Sequence, residues 1–177
     1  MKYFIIETDK KMINQPQIVD WYNKINEKDV HPHSYNKIPK RNMFMVKAKE
    51  PVEFADVVSF PFFLVSETIK EVLSLYEPNM VYKTVVFLDP KKEIHFVYNL
   101  PTLDEIDCLS SESTFNMDRS IITHPVINCK KLKDKALFYI GNISSRYVVA
   151  RMDFVESILK KNVKGIMLRE VELINEE

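Results

Sequence analysis

Few side chains in this sequence could move a proton, hold a metal or attack an electrophile. His31 and His33 stand two apart, which puts both imidazoles on one side of an extended segment and could hold a transition metal. A structural site needs about four ligands. Only His95 and His124 remain as further histidines, so His31 and His33 are predicted to be ordinary loop residues and no metal site is assigned. Cys108 beside Asp107, with His95 and His124 elsewhere, contains the parts of a thiol nucleophile, a base and an orienting group. No nucleophile motif surrounds it, so a small buried or half-buried thiol is expected. Cys108 and Cys129 form neither a CxxC pair nor a disulfide framework, as suits a reducing cytoplasm, although one bond between them stays open.

Carboxylates are the next candidates. From Pro101 to Asp118 the chain carries Asp104, Glu105, Asp107, Glu112 and Asp118 with no Lys or Arg between them. Such a run could supply an acid and base pair, a cation site or a partner-binding patch, or it could be a solvated connection. It lacks the oxygen-ligand spacing and central glycine of an EF-hand. On the opposite side of the ledger of charge, Lys37, Lys40 and Arg41 interleave with Tyr35 in a segment, 28–42, that loses periodicity and holds two prolines. It reads as an exposed, solubilising loop.

The whole chain argues against a nucleic-acid or membrane partner. Its 177 residues carry 25 Lys plus Arg against 25 Asp plus Glu, so no global field attracts an anionic surface. Its only glycines, Gly141 and Gly165, are too few for a phosphate-cradling loop, which removes Walker and Rossmann chemistry. The apolar run near the N-terminus is too short for a signal peptide, and no segment approaches the roughly 20 apolar residues that span a bilayer. A cytoplasmic location is expected. The length suits one domain, 1–177, burying roughly 70% of its unfolded surface.

The elements that would position these groups centre on Ser59 to Pro78, SFPFFLVSETIKEVLSLYEP, where an aromatic run feeds an amphipathic helix. Val65, Ile69, Val72, Leu73 and Tyr76 share one helical face, Thr68 and Glu71 have capping-box spacing, and Pro78 stops the helix after Glu77. Phe60, Phe62 and Phe63 are expected in the core. Pro16 is predicted to open a second helix with Ile18, Trp21, Tyr22 and Ile25 inward, docked through Trp21. Asp153 to Lys161 forms a third, with Asp153 and Glu156 as its capping pair. Strands are predicted at 3–6, 43–46, 137–140 and 147–150, a hairpin at 81–98, and a last strand near 166–173 with a bulge where the alternation shifts. The predicted class is α+β, a mostly antiparallel sheet against two or three amphipathic helices.

Four stretches in order, SFPFFLVSETIKEVLSLYEP, TVVFLD, YNLPTLDEIDCLSSESTFNMDRSII and YVVARMDFVESILKKNVKGIMLREVEL, resemble the bacterial family once described only as a domain of unknown function and now classed as type-eleven immunity proteins of polymorphic toxin systems. The resemblance runs from the N-terminal strand to about Leu173. It implies a non-enzymatic cytoplasmic protein that binds and neutralises a cognate toxin domain, with no cofactor and no catalytic residue to carry over. By analogy with basic, nucleic-acid-attacking toxins, Asp104, Glu105, Asp107, Glu112 and Asp118 are the expected contacts. The rival expectations are a small hydrolase using Cys108 or the acidic run, and a structural or developmental interaction protein without a toxin. The oligomeric state is not legible. Placing Phe63 and Leu73 in the core predicts that a polar substitution at either unfolds the protein; retention of a cooperative native transition by both variants would contradict that placement.

Overall fold

The computed structural model describes residues 1–22 and 24–175. Along the chain run β1 (Tyr3–Thr8), β2 (Gln17–Ile18), β3 (Arg41–Lys47), β4 (Val57–Val58), β5 (Leu64–Val65), α1 (Glu67–Tyr76), β6 (Tyr82–Asp89) and β7 (Ile94–Pro101). There follow β8 (Glu105–Ile106), β9 (Thr114–Phe115), β10 (Ile122–His124), β11 (Val126–Asn128), β12 (Leu137–Ile140), β13 (Val148–Arg151), α2 (Met152–Leu159), β14 (Ile166–Glu170) and β15 (Glu172–Ile174). Two large sheets hold most strands, in the orders β14-β1-β13-β12-β8 and β2-β3-β6-β7-β5-β4. Pairing is mostly antiparallel, with parallel exceptions at β3–β6, β8–β12 and β11–β15. The fold is α+β, with two α-helices among the described residues.

The hairpin is the best example of sequence specifying structure. In β6 the residues Lys83, Val85, Phe87 and Asp89 face inward at every second position, as a half-buried strand requires. β7 pairs with it along its full length, from Tyr82 opposite Pro101 to Asp89 opposite Ile94. The reversal is held by Asp89, whose carboxylate accepts from the Lys91 and Ala48 amides. The helices α1 and α2 lie side by side, α1 against β5 and β7 and α2 against β13: Ile69, Val72 and Leu73 share a core with Phe154, Val155 and Ile158. The Tyr76 hydroxyl donates to the Asp153 carbonyl at 2.9 Å and lies 2.7 Å from Ser157 Oγ, tying the helices together.

One residue joins these layers. Asp56 donates its amide to the Lys164 carbonyl, accepts the Ser66 amide on its own carbonyl, and accepts the Ser66 hydroxyl and the Lys164 amide on its two carboxylate oxygens. Ser66 is the N-cap of α1 and its Oγ also accepts from the Ile69 amide. The turn held by Lys164 leads into β14 through Gly165, whose φ of +68° and crowding by Ala55 and Met12 leave no room for a side chain.

Several expectations change. The helix cap is Ser66, not the Thr68–Glu71 pair, and Val65 belongs to β5. No helix starts at Pro16: Val19 donates to the Met45 carbonyl, and Asp20 accepts the Met45 amide at 2.7 Å, so tertiary hydrogen bonds draw the segment along β3. The basic segment 28–42 is not simply exposed. It folds as two 3-10 turns that bury Val30, Tyr35 and Ile38. In α2 the N-cap is Arg151, whose side chain makes no cap hydrogen bond; Asp153 pairs with the Arg151 guanidinium at 2.8 and 2.9 Å and accepts the Phe154 amide at 2.9 Å, in place of the expected pairing with Glu156. The shift near Val171 is not a bulge within one strand. β14 pairs with β1, and β15 passes to a separate two-stranded sheet with β11.

Two substitutions test the junction. Asp56→Ala leaves the Ser66 hydroxyl and the Lys164 amide without their acceptor and should cost about 2 kcal/mol or more in denaturant unfolding. Gly165→Ala should cost at least about 1 kcal/mol, because both φ and the space around the Cβ are unfavourable; an unchanged midpoint would show that the turn relaxes freely.

Candidate functional site

Cys108 is fully buried among Ile5, Ile127, Phe138 and Val149. Burial first, and the Asp107 charge further, push its thiol up to about 12. At neutral pH it is a closed, protonated thiol rather than a nucleophile. Cys108 and Cys129 are both free, and Cys129 is half-buried. The histidines do not converge on Cys108 in any recorded hydrogen bond. His31 Nδ1 lies 2.8 Å from Glu105 and stacks on His33, while His124 Nε2 lies 2.9 Å from Glu172. Among the described residues no group of three or more His, Cys, Asp or Glu side chains could hold a metal ion. No helix there is long and apolar enough to cross a membrane.

The acidic stretch alternates: four of its five carboxylates, Glu105, Asp107, Glu112 and Asp118, face solvent as expected of a solvated connection, and apolar residues between them are buried. Leu103, Ile106, Cys108 and Ser110 point inward, and strand β8 joins the large sheet beside β12. Strand alternation sends Glu105 and Asp107 outward. Their neighbours differ: Asp104 lies 3.1 Å from Lys135 Nζ, Glu105 meets His31, and Asp118 accepts from Ser120 within its own turn. Those Ser120 hydrogen bonds hold the Asp118 carboxyl below the usual range. Asp107 and Glu112 are exposed. The five carboxylates form an edge along one sheet and its following loop rather than a converging pair. In the basic segment, Tyr35 is buried and its hydroxyl donates to the Leu100 carbonyl, so no aromatic is left there for a base to stack on.

A different surface gathers the features of a contact site. A cleft of about 570 Å³ opens between the chain that follows β1 and the turn from β4 to β5. Trp21 and Phe60 form its walls, and the buried rings of Phe87 and Tyr98 form its floor. Its base is rigid. Thr8 Oγ1 donates to the Val57 carbonyl, the Ser59 amide donates back to Thr8 Oγ1 at 2.8 Å, and the Tyr98 hydroxyl donates to the Ala55 carbonyl at 2.8 Å. Trp21 stands edge-on to Phe62 and to Phe60, with centroids 5.9 Å away in each case, and its ring lies 5.3 Å from Tyr22. Phe60 is 72% exposed, Tyr22 76% and Ile13 78%, an unusual grouping of large apolar side chains beside a concavity.

On the far side of Trp21 lies a second cleft, of about 560 Å³, bordered by Tyr22, Ile25, Lys28 and Arg146. The Arg146 Nη2 donates to the Glu27 carbonyl and lies 3.9 Å from the Glu27 carboxylate, whereas its buried Nη1 has no hydrogen-bond partner. This double cleft was not legible as a site. Trp21 and Tyr22 were expected on the inner face of a helix, and Phe60 in the core. The structure puts the pair at a turn, where the Lys24 amide donates to the Trp21 carbonyl, and there Trp21 packs on Phe62 while Tyr22 faces outward. No protein-family model and no curated protein matches the sequence.

The thiols provide a direct check. At pH 8 a disulfide reagent should modify Cys129 in the native protein, while Cys108 reacts only as fast as the protein opens. Because folding raises the Cys108 pKa above that of a free thiol, its neutral form contributes stability fully below about pH 8.5, and the contribution declines as pH rises toward 12. Cys108→Ala should flatten that alkaline decline; rapid native labelling of Cys108 would overturn the assignment.

Proposed function

We propose that this chain is a non-enzymatic immunity protein that acts in the cytoplasm by binding and neutralising a cognate toxin domain. The resemblance of its four ordered stretches to type-eleven immunity proteins supports the identity of the partner. The observation that carries the binding mode is the surface formed by exposed Tyr22 and Phe60 around half-buried Trp21, beside a cleft floored by aromatic rings. Tryptophan and tyrosine dominate the energetics of protein interfaces when they sit centrally and lose water on binding. A contact of roughly 1,600 Å² in total would cover both clefts and their rims. Asp107 and Glu112, with Asp104, Glu105 and Asp118, are then proposed to steer a basic partner toward the surface, raising the association rate more than the final affinity.

Co-expression with a candidate toxin domain, as would be encoded next to this chain, tests the reading: cells should survive only when the immunity protein is present. Tyr22→Ser combined with Phe60→Ser should leave the thermal midpoint within a few degrees and weaken toxin binding by at least about tenfold. Asp107→Asn with Glu112→Gln should slow association at low salt and leave dissociation nearly unchanged. Failure of the unaltered protein to bind or protect would remove the proposal, and binding without protection would favour an interaction protein of another kind.

A further inference from the structure

We infer that the double cleft around Trp21 takes from its protein partner a segment in which an aromatic side chain stands next to a carboxylate. The inference rests on the partner-binding reading above and adds the chemistry of what is bound. The first cleft sets the aromatic half. The rings of Trp21, Phe60, Phe87 and Tyr98 line one part of it, beside the hydroxyls of Thr8 and Ser59, which are engaged with each other. Glu7, Asp9, Lys10, Gln15 and Gln17 give it a polar rim, so an aromatic side chain is seated among the rings. Rings seated among rings gain from edge-to-face contact as well as from burial.

The second cleft sets the acidic half. Lys28 is exposed at its border, and its ammonium joins no ion pair among the described residues. Arg146 keeps a quarter of its side chain exposed there, with Nη1 lacking an acceptor. A buried guanidinium nitrogen without a partner is rare, and its planar fork matches a carboxylate. Glu27 lines the same cleft and forms an ion pair with Arg146 at 3.9 Å, so the cleft keeps one net positive charge, with the Lys28 ammonium as its unmatched cation. Trp21 borders both clefts, so one partner segment spans them when its aromatic and acidic residues are neighbours.

Trp21 is also the chain's single tryptophan, which makes its emission a reporter of both clefts. The full chain is titrated with N-acetyl-phenylalanyl-aspartate amide and, separately, with its phenylalanyl-lysine counterpart. The aspartate peptide should shift Trp21 emission saturably, and the lysine peptide should bind about tenfold more weakly. Lys28→Glu should erase that preference, and Phe60→Ser should weaken both peptides while leaving the far-ultraviolet spectrum unchanged. Equal affinities for the two peptides, no emission change at millimolar peptide, or an unaltered preference in Lys28→Glu overturns the inference. If protection from toxin stands while the peptide preference is missing, only this inference falls; if protection fails while the preference stands, the cleft binds such segments and the toxin reading falls.

Discussion

Asp56 is the constraint on which the remaining architecture depends. Its amide, carbonyl and both carboxylate oxygens all have partners, and those partners belong to different layers: the cap of α1 and the turn before β14. Each bond alone contributes modestly, but they share one rigid residue, so loss of any one loosens the geometry of the others. The same short stretch contains Ala55, whose carbonyl receives the Tyr98 hydroxyl on the cleft floor. Helix placement, strand entry and the shape of the binding cleft are therefore set at a single point.

Local chemistry made some of this architecture readable and concealed the rest. The β6–β7 hairpin and the β12–β13 pair follow from apolar and β-branched residues whose neighbours in sequence are also their partners in space, and β1 from its apolar composition alone, its partners lying at the other end of the sequence. The buried face of α1 follows from 3.6-residue spacing at Ile69, Val72 and Leu73. Part of what could not be read was decided by distant groups. Asp20 accepting the Met45 amide, 25 residues on, draws the Trp21 segment along β3. At α2 the deciding group is a near one: Arg151, two residues before Asp153, takes the carboxylate that spacing alone would pair with Glu156. The candidate site shared that fate. Its aromatic members were visible as residue types, but their exposure depends on the turn at Trp21–Lys24, which forms where contacts to β3 hold Val19 and Asp20.

The two surfaces raised as partner contacts differ in physical character. The acidic edge is dispersed, partly matched by Lys135 and His31, and suited to acting at a distance through its field. The Trp21 surface is compact and apolar, and acts only after water leaves it. The proposed steering and holding roles thus fall to different residues of adjoining surface, since Glu105 meets His31, three residues beyond Lys28 of the second cleft.

The position of β1 has a consequence for how this chain comes to be folded. It is the second element of its sheet in space, flanked by β13 and β14, yet it is the first strand in the chain. A ribosome emitting the protein releases β1 with neither neighbour available until residues 148–170 have followed. Closing loops of that length is entropically slow, and the waiting strand exposes two unsatisfied edges. Phe4, Ile5 and Ile6 therefore lack their sheet partners until β13 and β14 have been made, and Glu7 and Thr8, which line the Trp21 cleft, belong to that same strand.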